Sequence, residues 1–144
     1  MNKYIEMHRR HQAEVNALPL GAAFNNKQFE EMMLGWGLDP EKDLDKICRI
    51  SGGMFIQKKD KEHMEEVLHS HDTEMKEAIE ADKDGTGFIY EMFLFELDNH
   101  EYGYTGDPED ACNALGYTVE EVVNDKRLSA AFMKAHKEIM RRSW

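Results

Sequence analysis

The chain has 144 residues, of which 29 are acidic and 18 basic, and its formal net charge is −11 at pH 7. A chain of this length with 41% hydrophobic residues is typical of one folded domain, which excludes a wholly disordered protein. No apolar run approaches the roughly 18 residues that span a bilayer. The N-terminal residues lack the apolar stretch of a signal peptide, so we expect a cytoplasmic protein. The excess of carboxylates argues against binding to nucleic-acid backbones, which requires clustered lysines and arginines.

Charge is unevenly distributed along the chain. Residues 61–125 hold 19 acidic and three basic side chains, a net charge of −16, whereas residues 126–144 carry a net charge of +5. The first 60 residues hold nine side chains of each sign. This pattern predicts an acidic body followed by a basic C-terminal helix. The acidic face either keeps the protein soluble or binds a basic partner, and the sequence leaves both interpretations open.

The N-terminal part of the chain has the pattern of two helices. Apolar side chains at three- and four-residue steps predict a first helix over residues 2–18, which ends at Pro19. Asn25 or Asn26 is the expected N-cap of a second helix, which ends near residues 35–37 because glycines follow there.

A strand signal comes next. Two short β-rich runs, residues 46–51 and 54–58, flank Gly52 and Gly53, and this arrangement predicts a β-hairpin. We then expect Asp60 to cap a long helix over residues 61–81.

The remaining elements are predicted to be helical. Residues 88–98 form the most apolar segment and predict a largely buried helix. Pro108 is placed to open a short helix, and Thr118 with Glu121 has the spacing of a capping box for the next one. A final helix is expected over residues 127–142, where apolar positions again recur at helical spacing.

These elements predict an α+β fold that is mainly α, with five to six helices and one small β-hairpin around residues 46–58. We expect a single domain over residues 1–144. Its two cysteines, Cys48 and Cys112, have no metal-type spacing and are expected to be free thiols.

One loop is similar to a calcium-binding motif. Residues 82–89 (DKDGTGFI) resemble the first eight positions of an EF-hand loop, with oxygen-bearing side chains at positions 1, 3 and 5 and glycine at position 6. Position 12 of such a loop supplies a bidentate glutamate, but Phe93 stands there in this chain. The segment therefore has two interpretations, a degenerate EF-hand-like calcium binder or a polar turn between two helices.

Histidines offer a second route to metal chemistry. Three of the seven lie on otherwise apolar helical stripes, and imidazoles combined with a carboxylate are ligands that Zn²⁺ accepts. A metal-binding protein or a metal-dependent hydrolase with a His/Glu cluster is therefore an alternative hypothesis, set against histidines that merely hydrogen-bond to neighbours. Its candidate residues are His8, His11, His71 and His100.

A dense polar cluster directly follows the most apolar segment. Histidine beside carboxylates has the groups needed for general-base chemistry, but it can equally bind a partner or stabilise the loop. No serine or cysteine nucleophile occurs in a recognisable setting near it. The cluster consists of Glu96, Asn99, His100, Glu101 and Tyr102, with Asn99 as the expected helix terminator.

Three segments carry a resemblance to a known family: FNNKQFEE (24–31), ISGGMFIQKKD (50–60) and ELDNHEYGYTGDPEDACNALG (96–116). Together they resemble a family of short phage and mobile-element proteins with an ELxNHEY-type motif and unknown function. The similarity spans residues 24–117 and leaves the flanking helices, residues 1–20 and 126–144, outside it. It implies no functional residues. By analogy, small acidic proteins from such elements often inhibit host defence machinery, some of them as nucleic-acid mimics.

Our lead hypothesis is a non-enzymatic, acidic interaction protein of phage or mobile-element type in the cytoplasm of a host bacterium. It would bind and inhibit a basic, nucleic-acid-handling effector such as a CRISPR or other defence nuclease, in an anti-CRISPR-like manner. We expect no cofactor, no membrane and no direct contact with nucleic acid. The candidate partner-binding residues are Glu62, Glu65, Glu66, Glu74, Glu77, Glu80, Asp107, Glu109, Asp110, Glu120 and Glu121.

The basic tail suggests a further interaction. Residues 126–142 could contact nucleic acid or an acidic patch on a second subunit, and the latter would produce a homodimer.

Overall fold

Helices make up most of the protein in the computed structural model, which describes residues 2–143 apart from the side chain of Ser143. A three-stranded sheet consists of β1 (Leu20–Ala22), β2 (Ile47–Arg49) and β3 (Met54–Gln57). The α-helices are α1 (Lys3–Asn16), α2 (Asn26–Gly35), α3 (Lys58–Ala81), α4 (Phe88–Asn99), α5 (Tyr102–Thr105), α6 (Glu109–Ala114), α7 (Val119–Asn124) and α8 (Lys126–Ser143).

The mainly α class with a small sheet is confirmed, but residues 2–143 contain eight α-helices rather than five to six. The four-residue helix α5 is one that the sequence analysis did not predict. No helix within this range combines the length and the apolar composition needed to cross a membrane.

The described residues group into two compact units. One, the sheet unit, comprises residues 12–72 and contains all three strands. The other, the helical unit, comprises residues 2–11 and 73–143 and contains α4 to α8.

The sheet unit is built around β3. The predicted hairpin is confirmed, because β2 pairs with β3 in antiparallel register and Cys48 lies opposite Ile56. A third strand, β1, pairs antiparallel with the other edge of β3 and was not predicted. Gly21 of β1 has no room for a side chain, since a Cβ there would lie 2.5 Å from Met32 Sδ. A side chain at position 21 would therefore displace the side chains of Met32 and Trp36, which pack on β1 from α2 and its C-cap.

Of the two helix caps predicted for the sheet unit, one is confirmed and the other is wrong. Asn25 is the N-cap of α2, and its side-chain oxygen accepts a hydrogen bond of 2.8 Å from the Gln28 N–H. The expected cap at Asp60 is wrong, because α3 begins at Lys58, directly after β3, and Asp60 lies inside its first turn.

The core of the helical unit surrounds α4. Ile89, Met92, Phe93 and Leu97 on this helix are completely buried. Helices α6 and α8 pack directly on α4, and α7 packs on both of them. The most apolar segment of the sequence therefore forms the central helix, as its composition predicts.

Two local devices hold the surrounding helices in place. The predicted capping box is confirmed: the Glu121 N–H donates to Thr118 Oγ1 at 3.1 Å, and the Thr118 N–H donates to Glu121 Oε1 at 3.0 Å. Arg127 of α8 reaches the end of α3, where its Nη1 donates to the carbonyl oxygens of Ile79 at 3.0 Å and Asp82 at 3.1 Å. These bonds satisfy carbonyls that a helix end leaves without partners.

Candidate partner-binding site

The chain contains no lysine or arginine between Lys83 and Lys126. This cation-free stretch forms α4 to α7 and their connections in the helical unit. Nine of its carboxylate side chains are exposed, and seven of these follow one another from the end of α4 to α7. We call them the acidic surface: Asp98, Glu101, Asp107, Glu109, Asp110, Glu120 and Glu121.

Two members of the acidic surface have structural partners. Glu121 belongs to the capping box, and Asp107 Oδ1 accepts a hydrogen bond of 3.0 Å from the Glu109 N–H. No salt bridge within residues 2–143 neutralises the remaining members, which are Asp98, Glu101, Glu109, Asp110 and Glu120. Their charges therefore remain available to an external cation.

A cleft of about 750 Å³ lies at one end of the acidic surface. Its lining combines two carboxylates with an aromatic side chain, an aliphatic side chain and a guanidinium. The ring of Tyr104 is almost fully outside the protein, with 92% of the residue exposed. The residues that line the cleft are Asp98, Glu101, Gly103, Tyr104, Ile139 and Arg142.

Glu101 has an unusual backbone at the edge of this cleft. Its φ of 56° is the single positive φ of a non-glycine residue within residues 2–143, and such a conformation costs of order 1–3 kcal/mol. Helix α4 ends at Asn99, the predicted terminator, but the left-handed conformation that often ends a helix falls two residues later, at Glu101. The backbone therefore turns sharply at Glu101 and begins α5 there.

The five residues of the predicted polar cluster do not converge on one site. Glu96 is buried, with 4% of its surface exposed, and its carboxylate faces the hydroxyl of the buried Tyr4. Tyr102 is also buried, and its hydroxyl lies 2.7 Å from His136 Nδ1. His100 Nδ1 lies 2.8 Å from the backbone oxygen of Glu96 at the end of α4. Glu101, with the exposed Asn99, is left at the surface.

Burial shifts the pKa of two groups in the core of the helical unit. It raises the pKa of Tyr102, with a smaller contribution from Cys112, and it raises the pKa of the Cys112 thiol. Because the thiolate is the nucleophilic form, Cys112 is disfavoured as a nucleophile. Both cysteines are free thiols, as the sequence predicts.

The structure distributes the predicted partner-binding residues of α3 over the two units. Glu62, Glu65 and Glu66 are exposed in the sheet unit, where Glu65 lies 3.8 Å from Lys61. Glu77 and Glu80 are exposed in the helical unit, together with the predicted residues of α6 and α7 and Asp107, which precedes α6.

Glu74 differs from the other predicted residues because it already binds cations of its own unit. Its carboxylate pairs with Arg10 and lies 2.8 Å from His11 Nε2. The hydrogen bond with His11, and then that with Arg10, lowers the pKa of Glu74. Glu74 is therefore less available to an external partner than its neighbours on α3.

The histidines considered for a metal site have separate partners. His8 stacks on Tyr4 with ring centroids 5.8 Å apart, and His11 faces Glu74. His71 lies 3.3 Å from Glu14 in the sheet unit. Within residues 2–143, no group of three or more His, Cys, Asp or Glu side chains is placed to hold a metal ion.

The EF-hand-like loop has a clear structural role. Asp82 Oδ2 accepts hydrogen bonds from the N–H groups of Gly87 at 3.1 Å and Ile89 at 2.9 Å, so this carboxylate caps α4. Phe93, at position 12 of the motif, is completely buried in the core. The loop backbone packs against α8, where a Cβ at Gly85 would lie 2.8 Å from the Arg127 carbonyl oxygen.

The opposite charge is concentrated on α8. At 100° per residue, four cations fall within an arc of about 80° on the solvent side of this helix. Lys134 lies over the Tyr90 ring at 4.5 Å, and Arg141 forms a 2.6 Å salt bridge with Glu138. The hydrogen bonds from Arg141 and then Arg142 lower the pKa of Glu138 to about 2. We call the four cations the basic face: Lys126, Lys134, Lys137 and Arg141.

Comparison with known proteins adds a family. A protein-family model described as "Family of unknown function (DUF7659)" matches residues 3–138. The match is wider than residues 24–117, where the sequence resemblance was noted, and includes most of both terminal helices. No curated protein and no solved structure matches the chain.

Proposed function

The chain belongs to the DUF7659 family, whose function is unknown, and from its own residues we propose that it is a non-enzymatic interaction protein that binds a basic partner through the acidic surface. One observation carries the proposal. The stretch between Lys83 and Lys126 contains no lysine or arginine, and none of its nine exposed carboxylates forms a salt bridge with a residue that the structure describes.

Electrostatics explains why such a surface favours a basic partner. Exposed carboxylates without counter-charges repel one another, and cations of a partner would remove this repulsion. Complementary charge also increases the association rate, and this effect weakens as salt screens the charges.

The cleft supplies features that charge alone lacks. Tyr104 presents an exposed aromatic ring next to Asp98 and Glu101. An aromatic face attracts Lys and Arg side chains, and tyrosine is enriched among residues that dominate binding energy. A partner that inserts a basic side chain here would contact both carboxylates and the ring.

The proposal has a finer form that rests on the sequence resemblance and on analogy. Proteins that handle nucleic acids present basic surfaces, and carboxylates can occupy the positions of phosphates on them. In this form the protein originates from a phage or mobile element and acts in the host cytoplasm, where it inhibits a CRISPR or other defence nuclease.

A pull-down from bacterial lysate tests the proposal. The tagged protein is incubated with lysate at about 0.05 M and about 0.5 M salt, which differ several-fold in screening length. We expect a basic protein to be captured at the lower salt and lost at the higher. The variant Glu109→Lys/Asp110→Lys/Glu120→Lys should lose this partner.

The matched control is Glu62→Lys/Glu65→Lys/Glu66→Lys, which makes the same change in charge on the sheet unit. It should retain the partner. Recovery of no basic protein at either salt, or equal loss with both variants, would contradict the proposal.

A further inference from the structure

The helical unit carries two surfaces of opposite charge. The basic face projects from α8, while the acidic surface follows α4 to α7. Within residues 2–143, no salt bridge joins a member of one surface to a member of the other. The salt bridges among residues 2–143 therefore leave part of the charge of each surface without a partner.

The individual cations of the basic face differ in availability. Lys126 and Lys137 are exposed and form no salt bridge with the residues that the structure describes. Lys134 rests on Tyr90, and Arg141 is shared with Glu138. The two free lysines lie 11 positions apart, which corresponds to about 16 Å along the helix. A partner must therefore supply anions over at least that length.

Each surface also presents a large apolar side chain. Met133, with 45% of its surface exposed, borders the basic face on α8, and Val123, with 65% exposed, follows Glu120 and Glu121 on α7. Protein interfaces combine an apolar centre with a polar rim. Both surfaces contain an apolar side chain next to charged ones.

We propose that the basic face of one copy binds the acidic surface of a second copy and that the protein forms a two-fold symmetric dimer. In such a dimer every contact occurs twice, because each copy contributes both surfaces. This self-association goes beyond the proposed function and does not depend on it. If both hold, the dimer covers the acidic surface, and a basic partner must displace the second copy.

Charge favours a second copy over nucleic acid as the occupant of the basic face. A net charge of −11 repels a phosphate backbone as a whole, and the four cations are few for binding one. The same net charge opposes dimer formation only weakly at physiological salt, because charges farther apart than the Debye length of about 8 Å are largely screened. Contacts between the two surfaces act within a few ångströms and are screened less.

Sedimentation velocity and light scattering on the full chain test the inference. We expect a mass above the 16.8 kDa of one chain at physiological salt, which falls towards 16.8 kDa as salt is raised. Two charge-reversal variants, Lys126→Glu/Lys137→Glu and Asp110→Lys/Glu120→Lys, should each be monomeric, since like charges then face each other across both contacts.

An equimolar mixture of the two variants provides the decisive measurement. In a mixed pair one contact has both charges reversed and the other has neither, so both are again complementary and the dimer should return. This rescue also shows that both variants are folded. The control Lys58→Glu/Lys59→Glu, with the same charge change on the sheet unit, should dimerise like the unaltered protein.

Three results would overturn the inference. The unaltered protein could stay at 16.8 kDa at every salt concentration, or the mixed variants could remain monomeric. The third is binding of a duplex DNA probe that depends on Lys126 and Lys137, since nucleic acid would then occupy the basic face.

Discussion

At the scale of single residues, Glu96 is the one charged side chain that is buried within residues 2–143. Its Oε1 has no hydrogen-bond partner among residues 2–143, and the Tyr4 hydroxyl is the donor that faces its carboxylate. Burial, and then the charge of Glu96, raises the pKa of Tyr4 far above its usual range, so Tyr4 remains the donor at physiological pH. An unpaired carboxylate in a core is costly, which makes the tyrosine hydroxyl important for stability.

We therefore expect Tyr4→Phe to lower the free energy of unfolding by about 1–3 kcal/mol, because it leaves Glu96 without this donor. Chemical denaturation monitored by circular dichroism measures the change. The double variant Tyr4→Phe/Glu96→Leu serves as the control and should recover stability, since it replaces both polar partners by apolar groups. A double variant less stable than Tyr4→Phe would show that this pairing is not the cause.

The burial of Glu96 is partly predictable from the sequence. Residues 89, 92, 93, 96 and 97 share one helical stripe, and four of them are apolar, so the spacing placed Glu96 in the core. The polar residues that follow Glu96 point the other way, because they suggest that it belongs to a polar cluster. Its partner Tyr4 could not be predicted, because nothing local links residues 4 and 96.

At the scale of elements, two aspartates in the loop between α3 and α4 have different roles. Asp82 stabilises the start of a helix, whereas Asp84 does not. Asp82 accepts two backbone N–H groups at the start of α4, whereas the exposed Asp84 makes no hydrogen bond to residues 2–143. An EF-hand would use both aspartates as calcium ligands. The two residues therefore distinguish a cap from a metal loop.

Asp82→Ala should reduce the free energy of unfolding by about 0.5–2 kcal/mol, as loss of a helix cap does. The matched variant Asp84→Ala should change it by less than about 0.5 kcal/mol. Urea denaturation with a calcium chelator present measures both. Equal losses from the two variants, or stabilisation of the unaltered protein by added calcium, would favour the metal loop instead.

The long helices, the hairpin and the capping box were predictable because each leaves a local signal. Stripes at helical spacing mark α1, α3 and α8, and Thr118 with Glu121 marks the start of α7. Strand β1 leaves no such signal, since its three residues become a strand only by pairing with β3, more than 30 positions away. Helix α5 is similarly short and depends on the left-handed turn at Glu101.

At the scale of the whole molecule, net charge opposes folding while it favours binding to a basic partner. Eleven uncompensated negative charges repel one another more strongly when the chain is compact than when it is extended. Salt weakens this repulsion, and it also weakens contacts with a basic partner. The two properties should therefore respond to salt in opposite directions.

We expect the thermal midpoint of dilute, monomeric protein to rise as NaCl increases from about 0.01 M to about 0.15 M, where the Debye length shortens from about 30 Å to about 8 Å. Differential scanning calorimetry measures the midpoint. Glu109→Gln/Asp110→Asn/Glu120→Gln removes part of the repulsion and should show a smaller rise. A midpoint that falls with salt would mean that attractive ion pairs dominate.

The candidate site was predictable in its chemistry and not in its arrangement. Residue counts alone identify the acidic segment and the basic tail, because charge is a property of composition. Tertiary contacts determine how the acidic residues are divided between the two units. They also determine that Glu74 pairs with Arg10 and His11. Arg142 enters the cleft beside Asp98 through such contacts as well.

The cation-free stretch also determines how this protein can be mapped by mass spectrometry. Trypsin cleaves after lysine and arginine, so residues 84–126 leave as one long peptide that spans α4 to α7. Amine-reactive cross-linkers find no lysine on that peptide apart from its last residue. Lysine chemistry therefore samples this stretch only at its ends, and carboxyl-activating reagents or digestion after acidic residues are needed to locate a partner bound along it.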